Sequence, residues 1–389
     1  MRYVQLNAYG NAWAESIIFK KHRELIANGD DSWVFWARTD HEQDDHMVKV
    51  ASYPEICLDA LQTRLDGRAG FHSKGITRRL LRRLDEIDPD VVHLHVLCGY
   101  WINVEMLFEW LASHRCKVVW TLHDCWAFTG HCIHFTKVKC MQWKTHCIYD
   151  GQNCPQKREY PETYAGDESV SWCFEQKKRL FTMLPADRME LVTPSQWLAD
   201  LVAESFLSKY PVRVVHNTIN TEIFKPTPSD FRERHGLTGK FVVLGAASKW
   251  SERKGLDDFV RLAGELDDRF AVVLVGLSEK QIKELPEQMT RLPKTDSLRE
   301  LAEAYTAADL FLTTSQEETY GMTVAEAAAC GTPVAVVDGT ACMEASENAE
   351  RYLIAPDLSN LVTTICAVYR AHHDKPGVEK TFSASGFDH

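Results

Sequence analysis

The chain has 389 residues, a length that suits about two to three domains of ~150 residues each, and its 45% hydrophobic and 25% charged content is ordinary for a soluble globular protein. A net charge of -11 argues against general nucleic-acid binding, which needs a basic face. No apolar run reaches ~18 residues, as a membrane-spanning helix would, and the N-terminus lacks the pattern of a secretory signal, so a cytoplasmic protein is expected; twelve cysteines are many for that compartment.

In chain order, residues 3–6 read as the first strand. The loop after it, residues 7–14, holds one glycine, Gly10, and no GxGxxG, so a dinucleotide dehydrogenase finds no support here. Residues 15–28 read as a helix and 32–37 as a second strand. Residues 71–87 carry Lys74, Arg78, Arg79, Arg82 and Arg83 beside Ile76, Leu80, Leu84 and Ile87. On a helix this places a basic stripe next to an apolar one, which is either a surface for anionic lipid or an acidic acceptor, or a core-packed helix with a solvated face. Strands at 91–95 and 117–122 follow, the second ending at His123-Asp124. A histidine at the carboxyl end of a strand is well placed for work at a ligand site, though a lone histidine is more often structural.

A cysteine-rich insert at 131–155 comes next, holding Cys132, Cys140, Cys147 and Cys154. Four soft ligands in so short a span could make a structural zinc site; the spacings contain no CxxC, and buried thiols or a redox pair are the alternatives. Residues 169–184 read as a helix, 190–193 as a strand, 197–205 as a helix and 212–216 as a strand. Prolines 226 and 228 mark a linker at 221–230, so the expected division is 1–220, linker, 231–389.

The alternation then restarts. Residues 241–244 form a strand, the loop 248–255 carries Lys249 and Lys254, and 256–266 form a helix. Cations at the carboxyl end of a strand can neutralise a diphosphate without a metal; a lysine pair in a loop is also often just solvated. A strand at 270–275 and a helix at 297–307 lead to residues 310–338, which read as strand, loop, short helix (323–330) and strand. Gly331 fits a left-handed helix cap, and Pro333 blocks continuation. Glu318 lies in the loop and Glu326 on the helix. Between them the helix-start amides near Gly321, Met322 and Thr323 suit a phosphate. Thr323-x-x-Glu326 is equally a capping box. Two doubly wound α/β domains facing a central cleft are expected.

These pieces resemble a known family. Glu318-Thr-Tyr-Gly-Met-Thr-Val-Ala-Glu326, the turn Cys330-Gly-Thr-Pro-Val334, the pair Lys249 and Lys254, and residues 215–226 look like the motifs of the retaining GT-B glycosyltransferases of family 4. The stretch His123-Asp-Cys-Trp-Ala-Phe-Thr-Gly-His-Cys132 and the later cysteines look like a bacterial subgroup that builds surface polysaccharide of the colanic-acid kind. The resemblance implies two Rossmann-like domains, the first for the acceptor and the second for a UDP- or GDP-sugar. It also implies transfer with retention, no cofactor required for catalysis, and an oligosaccharide or lipid-linked acceptor, with the protein cytoplasmic or peripheral at the inner membrane face. It assigns Glu318 to the donor sugar, Glu326 to the ribose, Lys249 and Lys254 to the diphosphate, and His123 to the reaction centre. A nucleotide-sugar epimerase, a phosphorylase or a non-catalytic carbohydrate-binding protein on the same fold are the alternatives. The family's arginine is Lys249 here, which keeps charge but loses the planar fork.

Overall fold

The computed structural model describes residues 1–10, 13–148 and 153–373. Part of the loop after the first strand, at Asn11 and Ala12, and part of the cysteine insert, at 149–152, therefore lie outside the described residues. The chain divides into two compact units, Met1–Asn217 and Thr218–His389.

The first unit is built on seven strands: β1 (Arg2–Tyr9), β2 (Asp31–Arg38), β3 (Met47–Lys49), β4 (Val91–Leu94), β5 (Lys117–Thr121), β6 (Met189–Thr193) and β7 (Val212–Val214). All pair in parallel, in the order β3-β2-β1-β4-β5-β6-β7. Consecutive residues of β2, from Val34 to Ala37, are fully buried. A parallel sheet covered by helices on both faces demands such continuous apolar strands.

The second unit repeats the scheme with β8 (Phe241–Ala246), β9 (Phe270–Leu277), β10 (Thr290–Pro293), β11 (Leu310–Leu312), β12 (Val334–Val337) and β13 (Arg351–Ile354). They too are parallel, in the order β10-β9-β8-β11-β12-β13. Both units are thus doubly wound, as the sequence predicts.

In each sheet the strand order reverses once, between β1 and β4 and between β8 and β11. Crossovers on the two sides of such a point run to opposite faces, so the loops leaving the strand ends part and leave a ligand crevice. β8 and β11 are direct neighbours, with Leu310 opposite Val243 and Phe311 opposite Leu244. The loops that follow them are therefore side by side, although far apart in sequence.

The sequence reading misses β3, β10 and β13 and, among the helices, Tyr53–Asp66, Val104–Ser113, Glu279–Glu284 and Leu361–His373. The first two strands are sheet edges and only half-buried along their length, and β13 alternates exposed and covered positions. β3 and β10 have no apolar run to read, and that of β13 is only Tyr352 to Ala355. The helix Tyr53–Asp66 turns Leu58, Leu61 and Leu65 outward, 56%, 55% and 68% exposed. Apolar residues on both faces blur the period that identifies a helix. The basic helix, Lys74–Ile87, buries Ile76, Leu80, Leu84 and Ile87 and exposes Arg78, Arg79, Arg82 and Arg83.

Candidate active site

At the switch point of the second unit, Lys254 and Glu318 form an ion pair. Lys254 ends the loop after β8, and Glu318 lies in the loop after β11. Two features hold them together. Gly255 has φ 76°, and a Cβ there would collide with the Thr314 hydroxyl at the end of β11. Only glycine lets the two loops approach this closely. Arg253 then ties them, its Nη1 donating to the Glu317 carbonyl at 2.8 Å. The side chains of Lys254 and Glu318 keep 25% and 20% of their surface exposed, so both stay within reach of a ligand. Beside them the hydroxyls of Thr314 and Ser315 are buried without a hydrogen-bond partner, a polar wall unsatisfied by the protein itself.

The helix Met322–Ala329 starts immediately beyond this pair. Its N-cap is Gly321, at φ 102°, where a Cβ would stand 2.9 Å from Cys342 Sγ. The amides of Met322 and Thr323 open the helix, where no acceptor inside it can serve them. The far end closes as expected, with Gly331 at φ 80° and the Thr332 amide donating to Ala327 O at 3.1 Å. The capping-box alternative is not what forms: Thr323 lies inside the helix, and Glu326 accepts the Tyr305 hydroxyl at Oε2, 3.0 Å away. Tyr305 is fully buried on the helix Leu298–Ala307. Burial pushes the Glu326 carboxyl up to about 7, and the Tyr305 hydrogen bond opposes this. A carboxyl held near neutrality is an uncommon arrangement for mere structure. Lys249, by contrast, is exposed on its loop.

In the first unit, His123 follows β5 and is buried, 7% exposed. Its Nε2 is hydrogen-bonded to His95 Nδ1 at 3.1 Å, the rings stacked at 5.4 Å. His95 stacks in turn on His93, and His93 bridges Tyr3 and Thr121. Burial pushes His123 down to about 4 and His95 well below its usual range. Both imidazoles are neutral near pH 7 and act as hydrogen-bonding groups rather than cations. Burial raises the neighbouring Asp124 to about 6; it accepts the Trp126 amide at 2.8 Å. The buried Lys177 donates to Trp126 O at 2.7 Å. Cys132, Cys140, Cys147 and Cys154 are all free thiols lining one cavity. As they lie, no three His, Cys, Asp or Glu side chains among the described residues are grouped closely enough to hold a metal ion.

Sequence reasoning missed Tyr305, Arg253, Thr314, Ser315 and His95. Tyr305 looks like any core aromatic of an amphipathic helix. His95 carried a readable signal, since His93-x-His95 puts two imidazoles on one face of a strand end.

Comparison with known proteins bears on both units. A family described as "Glycosyltransferase Family 4" matches residues 14–223, and one described as "Glycosyl transferases group 1" matches residues 239–371. WcaC of Escherichia coli (strain K12), provisionally named a colanic acid biosynthesis glycosyl transferase, is 29% identical over 267 residues, covering 66% of this chain and 62% of WcaC. Alpha-galactosylglucosyldiacylglycerol synthase of Streptococcus pneumoniae (strain ATCC BAA-255 / R6) is 31% identical over 195 residues, or 46% of this chain and 52% of that one. The chain thus spans between half and two thirds of these relatives. Among solved structures, sucrose-phosphate synthase from Thermosynechococcus elongatus has a TM-score of 0.64 at 16% identity, covering 95% of this chain and 90% of that one. Anabaena HepE in complex with UDP has a TM-score of 0.62 at 18% identity, covering 96% and 91%. At these identities the likeness is one of fold, that of the two-domain GT-B proteins.

Proposed function

The chain belongs to glycosyltransferase family 4, and on that premise we propose that it moves a sugar from a nucleoside diphosphate donor to an acceptor hydroxyl with retention of configuration. In this reading the second unit, which begins at Thr218 rather than after a linker at 221–230, binds the donor and the first the acceptor. The bond from the anomeric carbon to the β-phosphate oxygen breaks, and its electron pair leaves on that oxygen. The acceptor oxygen bonds to the same face of the anomeric carbon, and its proton passes to the departing phosphate.

Negative charge therefore develops on the diphosphate, where stabilisation counts most. Lys254 meets it, aided by Lys249 and the helix-start amides at Gly321, Met322 and Thr323. Glu318 orients Lys254 through their ion pair and accepts hydroxyls of the donor sugar. Glu326, eight positions on, accepts the ribose hydroxyls while Tyr305 fixes its rotamer. His123, neutral and held by its hydrogen bond to His95, is proposed as a catalytic residue. The observation that best supports the reading is the meeting of Lys254 and Glu318 at the β8/β11 switch point, one helix start away from Glu326.

The acceptor is proposed to be lipid-linked oligosaccharide of a bacterial surface polysaccharide, in keeping with WcaC. The exposed Leu58, Leu61 and Leu65 beside the arginine face of helix Lys74–Ile87 form a surface suited to anionic membrane. The two helices are joined by the Arg79–Glu55 ion pair at 2.7 Å. The protein is then peripheral at the inner face. Incubation with UDP- and GDP-sugars, a lipid-linked acceptor and EDTA tests the reading. The expected product keeps the donor's anomeric configuration, and diphosphate is released only as product forms. Inverted product, or donor epimerised without acceptor, would overturn it.

A further inference from the structure

We infer that the insert between β5 and the helix Asp167–Phe181 is a structural zinc site with Cys132, Cys140, Cys147 and Cys154 as its four thiolate ligands. The four come from separate turns of the insert and line one cavity of about 20 Å³. That is room for a single ion or water, and too little for an iron–sulfur cluster. None is in a disulfide. His131 shares the wall, 1% exposed, with its ring hydrogen-bonded to the backbone at Glu159 and Lys157. Four free thiols converging on one small void form a soft donor set.

The chemistry of the donors selects the ion. Four thiolates around one small centre suit zinc, a tetrahedral soft-ligand ion. Around zinc at about 2.3 Å the sulfurs stand about 3.8 Å apart. The thiols are not at that spacing as they lie. A cysteine side chain has one torsion, and rotation about it into the shared cavity brings each sulfur inward. Each thiol gives up its proton to bind, so affinity rises with pH. The Gly130 amide, 3.2 Å from Cys147 Sγ, then donates to a thiolate, a stronger bond than one to a thiol.

The site would also serve the segment that carries His123. Cys125 N donates to Ile133 O at 2.9 Å, and Thr129 Oγ1 donates to Cys132 O at 2.6 Å. The insert therefore grips residues 125–130 from outside, next to His123. Zinc here is an anchor for that segment and takes no part in sugar transfer.

The test is metal content of the full chain purified without chelators. About one zinc per chain is expected, released by a mercurial in step with modification of the cysteines. Cys140→Ser and Cys147→Ser should lose the metal, and Cys366→Ser should keep it. Because the insert variants could misfold, cobalt(II) exchanged into the unaltered chain gives a second readout: the intense visible bands of a tetrahedral cobalt thiolate. Chain without bound metal whose four thiols react freely in the folded state overturns the inference. So does a pair of disulfides within the insert, metal retained in both insert variants, or iron in place of zinc.

Discussion

Replacing Glu326 by glutamine should make the protein more stable and remove its nucleotide affinity. The native fold holds this carboxyl at about 7 against an ordinary 4.5, so the folded chain binds the proton more tightly than the unfolded one. The stability this represents is fully present below about 4.5, falls as pH rises, and is gone above about 7. Ionising the buried group therefore costs roughly 3 kcal/mol, at 1.36 kcal/mol per pH unit. Glutamine has nearly the same shape, still accepts the Tyr305 hydroxyl, and carries no charge to bury. Glu326→Gln should gain up to about 3 kcal/mol over the parent at pH 8.5, or at most about 10 °C in Tm for a unit of this size, and nothing at pH 4.5. The parent recovers the difference when saturated with its nucleotide: a ligand at 100 times Kd adds about 2.7 kcal/mol. Thermal melts of both proteins from pH 4.5 to 8.5, with and without nucleoside diphosphate, read this directly. A glutamine variant less stable than the parent at pH 8.5, or one still shifted by the nucleotide, would refute the reasoning.

Lys254→Ala should lower kcat by about 10²–10³-fold, the usual loss when one stabiliser of developing charge is removed; steady-state kinetics within threefold of the parent would contradict the role given to it. Glu318→Gln, which breaks the ion pair but keeps the shape, should lower kcat far more than it raises KM, and the reverse pattern would mark Glu318 as a binding group only. Nitrogen-15 NMR should find His123 and His95 neutral from pH 6 to 8, since burial holds the first at about 4 and the second well below its usual range; a midpoint near 6.5 at either ring would overturn that. Gly321→Ala, forced to φ 102° and against Cys342, should cost about 1–3 kcal/mol of stability, measured by denaturant unfolding.

The fold was legible where strands are buried on both faces. The predicted strands 270–275, 310–314 and 332–337 carry the apolar runs 270–275, 310–312 and 334–337, and they emerged as β9, β11 and β12. The edges β3 and β10 are short and half-covered, with no pattern of their own to read. In the site, Glu318, Glu326 and Lys254 could be picked out because charged residues at strand ends and helix starts are conspicuous in sequence. Their pairing could not. Lys254 and Glu318 stand 64 positions apart, and only the β8–β11 adjacency joins them. Tyr305 was hidden for the opposite reason: its ring packs as core, and only its hydroxyl works on Glu326. Whether Thr323 and Glu326 form a capping box turned on two positions of helix start, with Gly321 rather than Thr323 as N-cap, which is finer than periodicity can resolve.

The most direct test of the central claim is calorimetric titration of the purified chain with UDP, GDP and ADP in the presence of EDTA, repeated with Lys254→Ala and Glu326→Ala. The account predicts that one of the diphosphates binds without added metal, and that each substitution weakens it by at least tenfold. Binding left unchanged by both substitutions, or no binding by any diphosphate, would contradict it.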